Sequence, residues 1–447
     1  MRENLRLPAA IGKGAFANAS AHHAKLITYG VALVGPFGSA GAQFLLSFLL
    51  LRIWSPDDFG RFSFLLIASQ FTWGIWSALF CAPLPQYVAN AAHNHVVRGI
   101  FACCLAGALA CGLLFVGITQ ALVGHFGTAV VFGAYTAIAL LRWLARAHAY
   151  ALTFRFRTTL SDLIYTAFLL GGCGQAMVSG GISLTGAGAW LLLASLAGLL
   201  PFGPTWARQQ FIRVRRRDIL AYGTVWKAHA RWSLLGVVTT EATANAHTYL
   251  VTLLRGPAAF APLAASSLLI RPITVVMNAL TEFERPQMAR LIANEDRAGT
   301  RRSVRFFRAM LVLSWAGTLA AALALVALRP GWIFPSRYDL TELRWAAALW
   351  MAVALIRLLR MPESTLLQSA GAFRPLAFAS IWSCGISIAL VLCLLLLGGP
   401  VWSIIGALCG EIAFALFIWR QTQQWRRSMD DQSLNRDHPD RARVPCP

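Results

Sequence analysis

Arg271 stands in the middle of a long apolar run and is flanked at helical spacing by other polar residues. Ser267, Arg271, Thr274 and Asn278 follow one another at i, i+4, i+7 and i+11, which places all four on one helix face. A guanidinium group can form paired, charge-assisted hydrogen bonds with the oxygens of an anion such as phosphate. The pattern therefore predicts the polar wall of a hydrophilic cavity in which Arg271 meets an anionic ligand.

Polar residues in other apolar runs predict the remaining walls of that cavity. Glu241 and Asn245 form a second stripe, Gln43 lies in the first run, and Gln70 lies 201 positions before Arg271. Two interpretations of Glu241 stay open: it forms a structural ion pair with Arg271, or it binds substrate, a coupling proton or a cation. A charge at membrane depth costs at least ~2.5–3.5 kcal/mol, so either arrangement needs a partner or a cavity.

The other notable residues inside apolar runs are expected to be structural. Glu411 lies in the last run, which we expect at the periphery, and Asp162 is expected to be an acid at a helix N-terminus. His247, Trp73 and Trp76 are expected to pack in the core. Eight of the nine cysteines lie in apolar runs without metal-ligand spacing and are expected to pack as well. We expect no metal site, no cofactor and no catalytic residue.

The composition defines the class of protein. Of the 447 residues, 57% are hydrophobic and 13% are charged, against roughly 25% charged in soluble domains. The mean hydropathy is +0.59. These values predict an all-α polytopic membrane protein, because apolar runs long enough to cross a ~30 Å hydrocarbon core recur along the chain. We place about twelve transmembrane helices at approximately 27–53, 62–89, 99–121, 128–147, 159–180, 182–204, 232–254, 258–281, 307–328, 344–360, 375–398 and 400–420.

The net charge of +21 reflects membrane topology rather than binding of nucleic acid. With the N-terminus inside, 32 Lys and Arg fall in the predicted cytoplasmic segments and six in the outer loops, and Arg271 lies within a run. This asymmetry follows the positive-inside rule. It predicts a multi-pass protein with both termini in the cytoplasm, and no signal peptide is expected.

Two local features bear on the architecture: the start of one helix and an internal repeat. Ser55-Pro56-Asp57-Asp58 suits a helix start, with Ser55 as N-cap and both acids at the positive end of the helix dipole. An offset of 201 residues gives six identities over 31 positions, at equivalent places in spans two and eight. An even number of spans per half predicts two parallel six-helix bundles around a central cavity. The aligned pairs are Pro56/Pro257, Phe59/Phe260, Ala78/Ala279, Leu79/Leu280, Pro85/Pro286 and Gln86/Gln287.

Five segments follow from these features. They are a cytoplasmic N-terminal segment (1–26), an N-terminal bundle (27–206), a basic linker (207–231), a C-terminal bundle (232–420) and a polar cytoplasmic tail (421–447). The linker mixes arginine with apolar residues, which favours an amphipathic helix bound to anionic membrane lipids. The tail is polar and mixed in charge, so it is expected to be disordered.

Two stretches resemble a known family, the polysaccharide-export or O-antigen-type branch of the multidrug/oligosaccharidyl-lipid/polysaccharide (MOP) flippase superfamily. The first comprises LLRIWSPDDFGRFSFLLIASQ and APLPQYVA, and the second is LLRGPAAFAPLAASSLLIRPITVVMNALTEFERPQMARL. The resemblance implies two bundles arranged as a V around a cavity that opens alternately to either side of the inner membrane. It also implies a substrate, an oligosaccharide linked to polyprenyl diphosphate, in surface polysaccharide biosynthesis. Arg271 would then bind the diphosphate, and a polysaccharide polymerase would be a partner.

Two other functions are weighed against this one. A cation-coupled multidrug exporter of the same superfamily would need acids concentrated in the cavity, whereas this chain has Arg271 beside a single Glu241. A membrane-embedded polysaccharide polymerase or ligase would need a large outer loop with catalytic residues, and the predicted outer loops are short. The chain carries no Walker A pattern, so no ATPase activity is expected, and we interpret it as a transporter rather than an enzyme.

The predicted topology can be tested with single cysteines in a cysteine-free variant. A thiol reagent that stays outside the cell should label Asp58→Cys and Asp339→Cys, because both positions lie in predicted outer loops. It should not label Arg215→Cys or Arg301→Cys. Labelling of Arg215→Cys from outside would contradict the topology.

Overall fold

A computed structural model gives the architecture of the chain. It describes residues 34–88, 94–212, 216–328 and 335–437, and these ranges form helices with no strand among them. The predicted N-terminal segment 1–26 lies outside the described residues, as do residues 27–33 of the first predicted span. The predicted all-α class is confirmed.

Six predicted spans form the N-terminal half. Span two is α2 followed by a five-residue π-helical segment, Ser77–Cys81, and the short α3. Span six continues from α7 through a 3-10 turn into α8. The helices are α1 (Val34–Ile53), α2 (Pro56–Trp76), α3 (Leu84–Val88), α4 (Asn94–Val123), α5 (Phe126–Ala151), α6 (Arg155–Val178), α7 (Leu184–Ala197) and α8 (Gly203–Phe211).

The C-terminal half repeats this pattern after the linker helix α9 (Arg216–Val225). Span eight is again interrupted, here by a 3-10 turn at Leu268–Ile270. Span ten runs straight through Pro362 to Ser369, nine residues beyond its predicted end. The helices are α10 (Arg231–Arg255), α11 (Pro257–Ser267), α12 (Arg271–Ala293), α13 (Arg297–Leu328), α14 (Leu340–Ser369), α15 (Phe373–Leu397) and α16 (Ser403–Asp437).

The start of α2 confirms the capping role of the aspartate pair. Ser55 is the N-cap, and its hydroxyl oxygen accepts a hydrogen bond from the backbone N–H of Asp58 at 3.2 Å. Pro56 occupies the first turn, and Asp57 forms an exposed ion pair with Arg61 at 2.7 Å. The carboxylates therefore stabilise the helix N-terminus, as the sequence predicts.

Nine of the described helical segments are long and apolar enough to cross a membrane by length and composition alone. Three of the twelve predicted spans, α6, α10 and α14, fall outside that group although each has 24 residues or more. These three helices carry Asp162, Glu241 and the pair Arg357 and Arg360. Their lower hydropathy thus accompanies charged residues inside the membrane-spanning part of the chain.

The two halves meet along α2. Near its start α2 packs against α11, and Phe59 and Phe260, which the 201-residue offset aligns, are both fully buried in the core that the halves share. The helices approach so closely here that a Cβ atom on Gly60 would overlap the carbonyl oxygen of Pro257. We call this end of the molecule the Pro257 end.

The linker and the tail both contain helix. In α9, Ile219 and Leu220 are exposed while Asp218 is buried against α4, so the described residues leave apolar side chains of this helix partly uncovered. This arrangement supports the predicted amphipathic helix, although its binding to lipid stays a prediction. The tail differs from the expectation, because α16 continues as helix to Asp437. Residues 438–447 lie outside the described part of the chain.

The close contact at Gly60 can be tested by adding a single methyl group. We expect Gly60→Ala to destabilise the protein by about 1–3 kcal/mol, because the new Cβ displaces the backbone of Pro257. The control is Gly117→Ala on α4, where a Cβ would meet nothing within 4 Å, and which should be neutral or stabilising. Thermal unfolding of the purified variants in detergent measures both effects. Equal unfolding temperatures for Gly60→Ala and the unmodified protein would show that the halves do not pack this way.

Candidate functional site

Three of the predicted site residues lie at one depth in the membrane. Gln70 and Arg271 each follow, by 14 residues, the proline that starts their span, and Glu241 lies 14 residues before the end of α10. At 1.5 Å per residue, all three are about 21 Å from the Pro257 end. They therefore lie inside a hydrocarbon core that is ~30 Å thick.

Arg271 opens α12, directly after the 3-10 turn that interrupts span eight. The residue is half-buried, and its guanidinium forms no hydrogen bond or ion pair with the described residues. No charged group in the described part of the chain lies within electrostatic reach of it. A permanently charged side chain thus lies at membrane depth with its nitrogens open to a ligand.

Arg271 forms a stripe with Ser267, Thr274 and Asn278, and these three residues are of two kinds. The hydroxyl of Ser267 donates to the carbonyl oxygen of Ala264 at 2.8 Å, and that of Thr274 donates to Ile270 at 3.2 Å. Serine and threonine often bond back to the preceding helical turn in this way. Asn278 is exposed and has no hydrogen-bond partner among the described residues. Arg271 and Asn278 are therefore the members of this stripe that remain for a ligand.

Glu241 does not pair with Arg271. Its carboxylate accepts a hydrogen bond from Asn245 at 3.0 Å, and it lies beside Gly74 of α2, at the junction of the two halves. The charges within electrostatic reach of Glu241 are Arg357 and Glu411. The two side chains thus form no ion pair in this structure, and the binding of a substrate, a proton or a cation by Glu241 stays a prediction.

The two predicted glutamines have different surroundings. Gln43 is buried, and its amide donates to the hydroxyl of Tyr165 at 2.7 Å, within the N-terminal bundle. One N–H of its amide is thus engaged by α6, and a role for Gln43 in the cavity stays a prediction. Gln70 is half-buried and has no hydrogen-bond partner among the described residues. Gln70 remains in the candidate site with Arg271, Asn278, Glu241 and Asn245.

Glu411 is the centre of a buried ion cluster rather than a peripheral residue. Arg357 donates to one of its oxygens from Nε at 2.9 Å and from Nη2 at 2.8 Å. Arg360 donates to the other oxygen at 2.8 Å, and its guanidinium lies 4.1 Å from the centre of the Phe414 ring. The last span is therefore fastened to α14 in the interior of its bundle.

The N-terminal bundle contains a matching cluster. Asp162 is buried and accepts hydrogen bonds from Arg142 at 2.5 Å and from Arg146 at 2.8 Å. The guanidinium of Arg142 lies 4.3 Å from the centre of the Tyr165 ring. Asp162 is thus an ion-pair acceptor between α5 and α6, not the helix-terminal acid that the sequence suggested. In both bundles, two arginines of the fourth span bind one acid and one of them stacks on an aromatic ring.

These four arginines lie at the cytoplasmic ends of the predicted spans four and ten, so their positions in the sequence do not mark them as interior charges. A signal was present: each pair is spaced i, i+4 or i, i+3 within a continuous apolar segment. His247 and Trp76 are buried, as expected. The His247 ring packs against Trp350 with ring centres 4.7 Å apart, and Trp76 donates to the sulfur of Cys104 at 3.1 Å.

Comparisons with known proteins identify the fold. No family model matches the chain, and no curated protein matches it. Solved structures do. An inward-facing multidrug-resistance transporter of the MATE family, in the MOP superfamily, superposes with a TM-score of 0.62 at 13% identity, over 91% of this chain and 99% of that one.

Two further structures agree. A mutant of the Vibrio cholerae MATE transporter VcmN gives a TM-score of 0.60 at 14% identity, over 92% of this chain and 98% of that one. A MOP superfamily transporter from Pyrococcus furiosus Vc1 is described by a reverse polarity of its binding pocket that suggests a different function. It superposes with a TM-score of 0.58 at 12% identity, over 90% of this chain and 96% of that one. At these identities the likeness shows the fold. The chain is a multi-pass membrane protein with twelve transmembrane helices in two bundles.

The Glu411 cluster makes a prediction about stability. We expect Glu411→Gln to destabilise the protein by about 3–5 kcal/mol, because the buried Arg360 and the half-buried Arg357 both lose the carboxylate that they bind. The matched control is Asp57→Asn, which removes an exposed ion pair and should cost at most about 0.5 kcal/mol. Thermal unfolding in detergent compares the two variants. The cluster would have no structural role if both unfolded at the same temperature as the unmodified protein.

Proposed function

We propose that this protein is a flippase that moves an oligosaccharide linked to polyprenyl diphosphate across the inner membrane by alternating access. The fold supports the general part of the proposal, since solved MATE and MOP proteins that share it are transporters. Fold alone does not specify a substrate. The choice of substrate rests on Arg271.

Arg271 favours an anionic substrate. A charge at membrane depth is costly unless it meets an opposite charge or water, and the described residues offer Arg271 no counter-charge. A diphosphate supplies several oxygens that a guanidinium can bind in pairs, and such bonds are strong where water is scarce. The head of a polyprenyl-linked oligosaccharide has this chemistry next to its lipid chain.

The neighbouring amides suit the sugar part of this substrate. Gln70 and Asn278 are accessible and have no hydrogen-bond partner among the described residues. Asn245 donates one hydrogen bond to Glu241. Amide groups both donate and accept hydrogen bonds, so they can bind hydroxyl groups on many different sugars. A flippase of this kind would therefore fix the diphosphate firmly and the glycan loosely.

The alternative is a multidrug exporter, which the names of the MATE structures suggest for those proteins. A cationic drug needs an acid that is free to bind it. Glu241 is the acid in the candidate site, and Arg357 lies within electrostatic reach of it while Arg271 adds an unbalanced positive charge. This balance of charge favours an anion over a cation.

The test is binding of polyprenyl diphosphate to the purified protein. We expect Arg271→Ala to weaken binding about tenfold or more, because it removes a charge-assisted pair of hydrogen bonds. Arg271→Lys should restore part of the affinity, since it keeps the charge and loses the planar fork. Uncharged polyprenol should bind equally to all three proteins. The control is Arg255→Ala, an exposed arginine at the Pro257 end of α10, which should bind as the unmodified protein does.

The same variants should separate in cells. Arg271→Ala should abolish export of the surface polysaccharide at an unchanged level of membrane protein, whereas Arg255→Ala should export normally. Full export by Arg271→Ala, or tighter binding of a cationic dye than of polyprenyl diphosphate, would overturn the proposal.

A further inference from the structure

A groove on the surface of the C-terminal bundle is not part of the candidate site. It lies between the first turns of α15 and the last membrane turns of α16, and it is an open cleft with a volume of about 370 Å³. Arg374, Phe378 and Trp382 line it from α15 at i, i+4 and i+8, and Phe417 and Gln421 line it from α16 at i and i+4. Its volume is within the ~300–1,000 Å³ of small-ligand sites.

The groove has a polar mouth and an aromatic interior. Trp382 is 62% exposed, Phe378 54% and Phe417 37%, so three large rings are partly exposed in one place. Arg374 is exposed at the mouth, with its guanidinium 5.9 Å from the centre of the Phe378 ring. On the antiparallel α16, Gln421 lies at the same level, beside the exposed Arg420.

The level of this mouth in the membrane is fixed by the helices. Arg374 is the first residue of the apolar span in α15, and the polar extension of α16 begins near Arg420. The mouth therefore lies at the membrane–water interface opposite the Pro257 end, and the rings extend from there toward the hydrocarbon core. Aromatic rings are enriched at this depth, and basic clefts between helices bind anionic lipid head groups.

We infer that this groove binds one anionic glycerophospholipid of the surrounding leaflet. Its phosphate would bind Arg374 and Arg420, Gln421 would donate to the glycerol ester region, and an acyl chain would lie along Phe378, Trp382 and Phe417. The positive charge of the mouth selects an anionic over a zwitterionic head group. The rings select a lipid over a soluble phosphate, because a soluble phosphate would leave them uncovered.

The experiment measures lipid binding to the full-length protein by native mass spectrometry and thermal stabilisation. Phosphatidylglycerol is compared with phosphatidylcholine, with glycerol 3-phosphate and with polyprenyl phosphate. We expect Arg374→Ala to weaken phosphatidylglycerol binding about fivefold, which corresponds to one basic residue near the membrane surface. Trp382→Ala should also weaken the binding of phosphatidylglycerol. Its binding of glycerol 3-phosphate should be the same as that of the unmodified protein.

Two matched controls lie at the other end of the bundle. Arg344 and Trp345 of α14 are an exposed arginine and an exposed tryptophan, and Arg344→Ala and Trp345→Ala should leave binding unchanged. The inference is overturned if all four variants bind phosphatidylglycerol equally, or if phosphatidylcholine binds as tightly. Binding of glycerol 3-phosphate alone would mean a site for small anions. Preference for polyprenyl phosphate would assign the groove to the substrate chain instead. None of these outcomes bears on Arg271.

Discussion

The cost of placing a charge in hydrocarbon governs the interior of this protein. Each charged side chain at membrane depth needs a counter-charge, a cavity or water. Two clusters meet this need within the bundles, Arg142 and Arg146 with Asp162, and Arg357 and Arg360 with Glu411. These clusters join α5 to α6 and α14 to α16, so helices too polar to be recognised as spans by hydropathy are held in the interior by ionic contacts.

Arg271 differs from the arginines of these clusters, because no described acid forms an ion pair with it. The described acids that lie at depth are engaged elsewhere: Asp162 and Glu411 by arginine pairs, and Glu241 by Asn245 with Arg357 nearby. Hydroxyl groups on the Arg271 stripe are satisfied by their own helix. What remains is one cation, Arg271, and the amides of Gln70, Asn278 and Asn245. The proposed binding of an anionic ligand rests on this cation.

The packing between the halves has a different character from the packing inside them. At the Pro257 end the halves meet through apolar side chains, through backbone contact at Gly60 and through a hydrogen bond from Arg337 to the carbonyl oxygen of Leu51 at 2.6 Å. No ion pair between the halves is found there among the described residues. An interface of this kind can separate without exposing a buried ion, whereas the clusters inside each bundle would resist separation. The described ion clusters therefore lie within the bundles and not at the Pro257 end where the halves meet. The aromatic groove between α15 and α16 likewise lies within one bundle.

The sequence by itself determined the helical class, the number of spans, the start of α2 at Ser55-Pro56 and the depth of Arg271. These are local properties: hydropathy, caps and helical periodicity are read along one segment. It did not determine where charges pair, because Arg357 and Glu411 are 54 residues apart and Arg142 and Asp162 are 20 apart. Span ten also extends past its predicted end at residue 360, through Pro362 to Ser369, because helices in membranes accommodate proline where neighbours satisfy the backbone. Only the tertiary structure decided that Gln43 donates a hydrogen bond to Tyr165, that Glu411 lies inside its bundle and that Arg271 lacks a partner, since these depend on which helices meet.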